Sequence, residues 1–322
     1  MTLCVSITTS DGLVMGADSM TVVKDANLQK TYSHSTKVFE LEGLPIVVMT
    51  YGLGAFGRRS IGSLIDQWLV DRPVFEKEGY TVEQVAQTLG SFVFEQHRSY
   101  LQIVRGQIEK EQVEALTSQS TDAGLETSRQ RAPQFDPKQW ITGLVIGGYQ
   151  PGSSFPWLYT WEEPTPDGRP LKPICQRQHE GPNGEDGPPS GIDYWGDTRA
   201  LHRLQVGCEQ SLLAELQSLK RNRTAERTLD VIKKSEWQIV FEGMPLQDAA
   251  DLVEFMLQVG CGFERFREGS PQIGGELDIA VVSQFGIHWF KRKALSKAQA
   301  TLKSALGNKA REQSGSRAKT SA

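Results

Sequence analysis

Thr2-Leu3-Cys4-Val5-Ser6-Ile7-Thr8-Thr9-Ser10-Asp11-Gly12-Leu13-Val14-Met15-Gly16-Ala17-Asp18-Ser19 is the stretch whose reading decides the fold. Leu3, Val5 and Ile7 alternate with Cys4, Ser6 and Thr8, the period-two pattern of a strand with one apolar face. Ser10-Asp11-Gly12 is a hairpin turn, and residues 13–17 read as the returning strand. A second antiparallel pair follows in residues 37–41 and 45–50, joined by a turn at Glu42-Gly43.

Outward from these hairpins the period changes. Ile61, Leu64, Ile65, Trp68 and Leu69 recur at helical spacing. Val82, Val85, Leu89, Phe92 and Val93 do so again, with Thr81 and Gln84 as a capping box. Strand signals return at 141–148 and 157–160. Asp197 caps a third helical pattern through Ala200, Leu201, Leu204 and Cys208, and Pro245 opens a fourth through Leu246, Ala250, Val253 and Leu257. The last strands are 277–283 and 288–291. This order predicts an α+β fold, a four-layer αββα sandwich in which helices cover two packed antiparallel sheets. Residues 109–137 and 180–193 are polar or rich in Gly and Pro, and are expected to be long surface loops inserted in one domain spanning 1–293.

The net charge is −4, but residues 291–322 carry nine Lys/Arg and one Glu, a balance of +8 that leaves −12 for the remainder. Residues 294–322 are therefore expected to form a basic, partly disordered tail. The body has no basic face, which argues against nucleic-acid binding. The absence of a long apolar run or a signal-peptide pattern points to a cytoplasmic protein that does not enter membranes. Four cysteines far apart in sequence suggest reduced thiols rather than a zinc site or disulfides, and the five histidines have no metal-ligand spacing, so neither metal nor cofactor is expected. Gly52-Leu53-Gly54-Ala55-Phe56-Gly57 has dinucleotide-motif spacing, but residues 71–80 are charged and lead into another helix where a second parallel strand is required.

The opening segment resembles the N-terminus of proteasome β subunits and HslV-type peptidases, the family of N-terminal-nucleophile hydrolases. Asp18 lies sixteen positions after Thr2, and Lys37 precedes Val38-Phe39. Thr142-Gly143-Leu144-Val145-Ile146-Gly147-Gly148-Tyr149 and Ile273-Gly274-Gly275-Glu276-Leu277-Asp278-Ile279-Ala280-Val281 extend the likeness over about two-thirds of the chain. The resemblance implies a threonine-type peptidase: Thr2 starts the mature chain once Met1 is removed, its amine takes the hydroxyl proton, and Lys37, oriented by Asp18, lowers the amine's pKa. It also implies Gly52 as the oxyanion-stabilising glycine, a substrate pocket of Thr21, Phe39 and Met49, peptide or unfolded-protein substrates, and self-association into rings with an unspecified ATPase or activator.

The supporting positions depart from the family pattern. Trp195-Gly196-Asp197 stands where Gly-Ser-Gly is usual, and Ser270-Pro271-Gln272-Ile273-Gly274-Gly275 where Asp-x-x-Ser-Gly-Gly is usual. Asp197, Glu268 or Ser270 are the groups that could substitute, and Ser19 is a further supporting residue. The alternatives are a catalytically silent, proteasome-like scaffold or binding assembly, and a small-molecule amidase on the same fold.

Overall fold

The computed structural model describes residues 2–25, 28–71, 79–117, 135–165, 172–177, 187, 189–219 and 223–294. The two hairpins read from the sequence form as strands β1 (Leu3–Thr9) with β2 (Gly12–Ala17), and β5 (Val38–Glu40) with β6 (Ile46–Gly52). Between them runs a further hairpin, β3 (Thr21–Asp25) with β4 (Leu28–Tyr32), where the sequence suggests only a loop. After β6 come the short pair β7 (Ala55–Phe56) and β8 (Arg59–Ser60), then helices α1 (Ile61–Asp71) and α2 (Val82–Thr117). Next follow β9 (Thr142–Gly148), β10 (Trp157–Glu163), β11 (Ile174–Cys175) and β12 (Gly191–Gly196). Helices α3 (Arg199–Val206), α4 (Gln210–Ser218), α5 (Arg223–Ser235) and α6 (Leu246–Arg265) precede the closing strands β13 (Asp278–Ser283) and β14 (Gly286–Lys291).

One antiparallel sheet has the order β12-β1-β2-β13-β14 and the other β11-β10-β9-β6-β5. Leu3, Val5 and Ile7 point to α6, packing with Ala249, Ala250, Val253, Met256 and Leu257. Cys4, Met15 and Ala17 point instead to the second sheet, meeting Val47, Met49 and Val145. The second sheet's other face, with Ile46, Val48, Leu144 and Ile146, is covered by Leu64 and Ile65 of α1 and Val85, Leu89 and Val93 of α2. Helices thus lie on both outer faces of two stacked sheets, the layering that the strand and helix periods require.

The capping box forms: Thr81 N–H donates to Gln84 Oε1 at 3.0 Å and Gln84 N–H to Thr81 Oγ1 at 3.1 Å. Helix α2 runs on to Thr117, so the first part of the loop expected at 109–137 is helix, while 118–134 lies outside the described residues. Most of 180–190 and all of 295–322 lie outside them too, although the loop expected to reach Asp193 already gives way to β12 at Gly191. The dinucleotide reading of residues 52–57 is excluded by topology, since β6 pairs antiparallel with both its neighbours, β5 and β9. Among the described residues no helix is long and apolar enough to cross a membrane.

Candidate active site

Strand β1 lies between β12 and β2, and its N-terminal end meets the end of β2 where Asp18 leaves the sheet. Asp18 is buried, and its carboxylate accepts four hydrogen bonds. Oδ1 takes Leu3 N–H at 2.9 Å and Lys37 Nζ at 2.8 Å. Oδ2 takes Met20 N–H at 3.1 Å and Gly274 N–H at 3.0 Å. One oxygen therefore ties the backbone beside Thr2 to the Lys37 ammonium. Lys37 is itself buried, its side chain 7% exposed, and enters from just before β5, where its carbonyl accepts Thr50 N–H at 2.9 Å. Charge-assisted bonds of this kind are stronger than neutral ones, and in a dry site they hold one geometry.

Thr2 is 3% exposed and extends the β1–β12 ladder: Asp197 N–H donates to the Thr2 carbonyl at 2.8 Å. Gly196 makes that approach possible. Its φ is +86°, and a Cβ there would overlap the Thr2 carbonyl oxygen, so a side chain would push residue 2 out of place. Asp197 meets the first turn of α3 as the sequence suggests, its carboxylate accepting the Arg199 N–H at 3.4 Å, although the cap position itself falls one residue further on. Thr198 occupies the cap position, and the Asp197 carboxylate is gripped by Arg199, whose Nε donates at 2.7 Å and whose Nη2 makes a second bond. Burial pushes the Asp197 carboxyl up, but bonding to and the charge of Arg199 bring it below the usual carboxylate range. Arg199 also lies 3.7 Å from buried Glu264 on α6, which Arg267 approaches at 3.4 Å.

The remaining sequence candidates divide. Ser19 is completely buried beside Asp18, with its hydroxyl donating to the Glu276 carbonyl. Gly52 ends β6 at the same end of the sandwich; two residues back, the Thr50 carbonyl faces the Cys4 thiol at 3.6 Å. Ser270 and Glu268 are exposed, and none of the described hydrogen bonds joins either of them to Thr2, Asp18 or Lys37. Of the three pocket candidates, Thr21, Phe39 and Met49, the last two lie in different clusters. Val38 pairs with Met49, which places both between the sheets, while Phe39 faces the helices and packs against Gly62 of α1. Strand alternation makes this unavoidable, and the β6 residues on Phe39's face are Val48 and Thr50. Sequence reasoning overlooked Arg199, Glu264 and the pair Asp278–Lys293, of which Lys293 donates to the Ser19 hydroxyl.

No protein-family model matches this chain, and no curated protein matches it. Its structure is similar to that of Anbu (ancestral beta-subunit) from Yersinia bercovieri, at 14% sequence identity and a TM-score of 0.45, covering 90% of this chain and 87% of that one. It is also similar to a Gly-1 mutant of Anbu from Hyphomicrobium sp. strain MC1, at 15% identity and a TM-score of 0.48, covering 97% of this chain and 96% of that one. These findings correct the family drawn from the sequence motifs: the similar structures are Anbu proteins at low identity, and assignment to the proteasome β-subunit and HslV-type family does not stand. The layered fold rests on the strand orders themselves.

Proposed function

We propose that this chain is an amide-bond hydrolase of the threonine type, with Thr2 as nucleophile once whatever precedes it has been removed. The observation that carries the reading is the double use of Asp18 Oδ1, which binds both the backbone N–H following Thr2 and the buried Lys37 ammonium. A threonine hydroxyl needs an adjacent base, and a chain-terminal amine with a pKa of about 8 is close to neutral at physiological pH. The positive charge of Lys37 disfavours the ammonium form of that amine, and the hydrogen bond to Asp18 aims Lys37. The Thr2 oxygen attacks the substrate carbonyl carbon as its proton passes to the amine. The carbonyl oxygen gains the negative charge, for which the backbone N–H at Gly52 is the donor in this reading. Collapse breaks the carbon–nitrogen bond, the proton goes to the leaving amine, and an ester on Thr2 remains for water to hydrolyse.

Peptide or unfolded-protein substrates, self-association into rings and a separable tail at 294–322 belong to the same proposal. The test is hydrolysis of fluorogenic peptides together with labelling by a β-lactone. Thr2→Ala should lose both, while Thr2→Ser keeps labelling. Full labelling of Thr2→Ala overturns the nucleophile. The exposure of Ser270, which no described hydrogen bond joins to Thr2, Asp18 or Lys37, favours one second reading, a silent binding or scaffold module; a wild-type chain with a free Thr2 amine that neither hydrolyses nor labels is its signature.

A further inference from the structure

Beyond the residues used in the proposed chemistry, the network around Asp18 continues through Ser19, where every polar atom is engaged. Its N–H donates to the Gly274 carbonyl at 3.0 Å and its carbonyl accepts Ser35 N–H at 2.9 Å. Its hydroxyl donates to the Glu276 carbonyl and accepts from Lys293 Nζ at 2.9 Å. Lys293 in turn pairs with Asp278 Oδ2, and its backbone N–H donates to Asp278 Oδ1 at 3.0 Å. Lys293 is 5% exposed and Asp278 1%. Asp278 opens β13 and Lys293 lies two residues beyond β14, so the pairing of Ile279 with Lys291 brings them together.

A buried ion pair is a poor way to gain stability, because desolvation offsets much of the attraction. What this pair adds is geometry. An ammonium has three donors in different directions, and this one spans Asp278 and the Ser19 hydroxyl, leaving that hydroxyl a single orientation. Ser19 is bonded on one side to the loop preceding β13 and on the other to Ser35, two residues before Lys37.

We propose that Lys293 is a positioning residue for the Thr2 site. Acting through Ser19 it fixes Asp18, and through Asp18 it fixes Lys37; with Asp278 it keeps the two buried Asp and two buried Lys of the site balanced in charge. The proposal rests on the Thr2 reading above. The charged and titratable groups packed about the site are Asp18 and Lys37, Asp278 and Lys293, Asp197 with Arg199 after β12, Cys4 on β1, Cys261 and Glu264 on α6, and Arg267 just after α6. Burial pushes both thiols up, that of Cys261 to about 12, so neither ionises near neutrality. Removing the Lys293 charge leaves the site one unit more negative, which favours the protonated amine. The acid limb of the pH–kcat/KM profile must then move to higher pH.

The experiment uses the full chain with Lys293→Met and with Lys293→Met/Asp278→Asn. Steady-state kinetics on a fluorogenic peptide are measured across pH, alongside the pH midpoint for acylation of the Thr2 amine, read by mass spectrometry. Lys293→Met should lower kcat about 10- to 100-fold with KM within about twofold, as expected for a misplaced catalytic group. It should also raise both midpoints by on the order of half to one unit. The double variant restores neutrality, so its midpoints return to the wild-type values while kcat stays low, because Ser19 still lacks its donor. Wild-type kcat in the double variant overturns positioning, and unshifted midpoints in a folded Lys293→Met overturn the charge role. If Lys293→Met does not fold, the neutral double variant alone decides. Failure of the Thr2 reading is seen separately, as absent hydrolysis in the wild type, and the amine-acylation midpoint remains readable in that case.

Discussion

Asp18→Asn should be the most damaging isosteric change in the site. The carboxylate receives Leu3 N–H and Lys37 Nζ on one oxygen, and Met20 N–H and Gly274 N–H on the other, at 2.8–3.1 Å. An amide of the same shape keeps one acceptor and turns the other position into a donor, so two of the four donors face another N–H. The Lys37 ammonium loses its counter-charge at the same time. Removing one partner of a buried pair costs about 3–5 kcal/mol. For a chain of this size that lowers the melting temperature by roughly 4–8 °C. Lys37→Met should cost less, about 1–3 kcal/mol, because the carboxylate keeps three backbone donors. Urea unfolding followed by tryptophan fluorescence on the two single variants and the double variant closes a mutant cycle, with an expected coupling of about 1.5 kcal/mol or more. A Lys37→Met variant at least as destabilised as Asp18→Asn refutes the four-donor account, and a coupling near zero refutes the pair.

His97 is completely buried and stacks on Phe56 with ring centroids 4.8 Å apart; burial pushes its pKa from its ordinary 6.5 down to about 4. The unfolded ring then binds a proton that the folded ring refuses between those values, so stability present above about pH 6.5 falls by up to roughly 3 kcal/mol on acidification to about pH 4. His97→Phe should flatten that slope in melting curves taken across the range; an unchanged slope would assign it to other groups. Gly196→Ala, at φ +86° and against the Thr2 carbonyl, should cost about 2–3 kcal/mol and lower hydrolysis at least about tenfold, measured by unfolding and peptide turnover, with wild-type values in both contradicting the close approach. Thr81→Ala breaks one half of the capping box and should cost about 1 kcal/mol in urea unfolding with peptide turnover unchanged.

Elements with a buried, periodic face were legible in the sequence. Strand β1 announces itself because Leu3, Val5 and Ile7 all pack on α6, and α1 because Ile61, Leu64, Ile65 and Trp68 are buried on one side. The β3–β4 hairpin escapes notice because its described side chains are half-buried or exposed, so no core imposes a pattern. Helix α4 buries no residue and α5 only Ala225, which leaves no apolar period to read. Past Val104 no described side chain of α2 is buried, so its polar end resembles a loop although it is helix to Thr117. In the site, Asp18 and Lys37 were found because each adjoins a clear strand. Lys293 was not, since its partner Ser19 is 274 positions away and a lysine two residues past the last expected strand carries no sign of a partner. Asp197 was legible in part, since it accepts a first-turn N–H of α3 as an Asp before a helical pattern does, but nothing in the pattern shows that the guanidinium two residues on also takes its carboxylate.

Alongside local bonds, Asp18 and Ser19 are held by Gly274, Glu276 and Lys293, more than 250 positions further along the chain. Synthesis at about 5–20 residues per second puts roughly 15–55 s between the appearance of Asp18 and that of Lys293. Throughout that interval the growing polypeptide can pair β1 with β2, yet it has nothing with which to finish the surroundings of Thr2. The clock that starts the site is therefore the arrival of the last strand pair, and a chain cut short before β14 carries its first residues in an unlocked state.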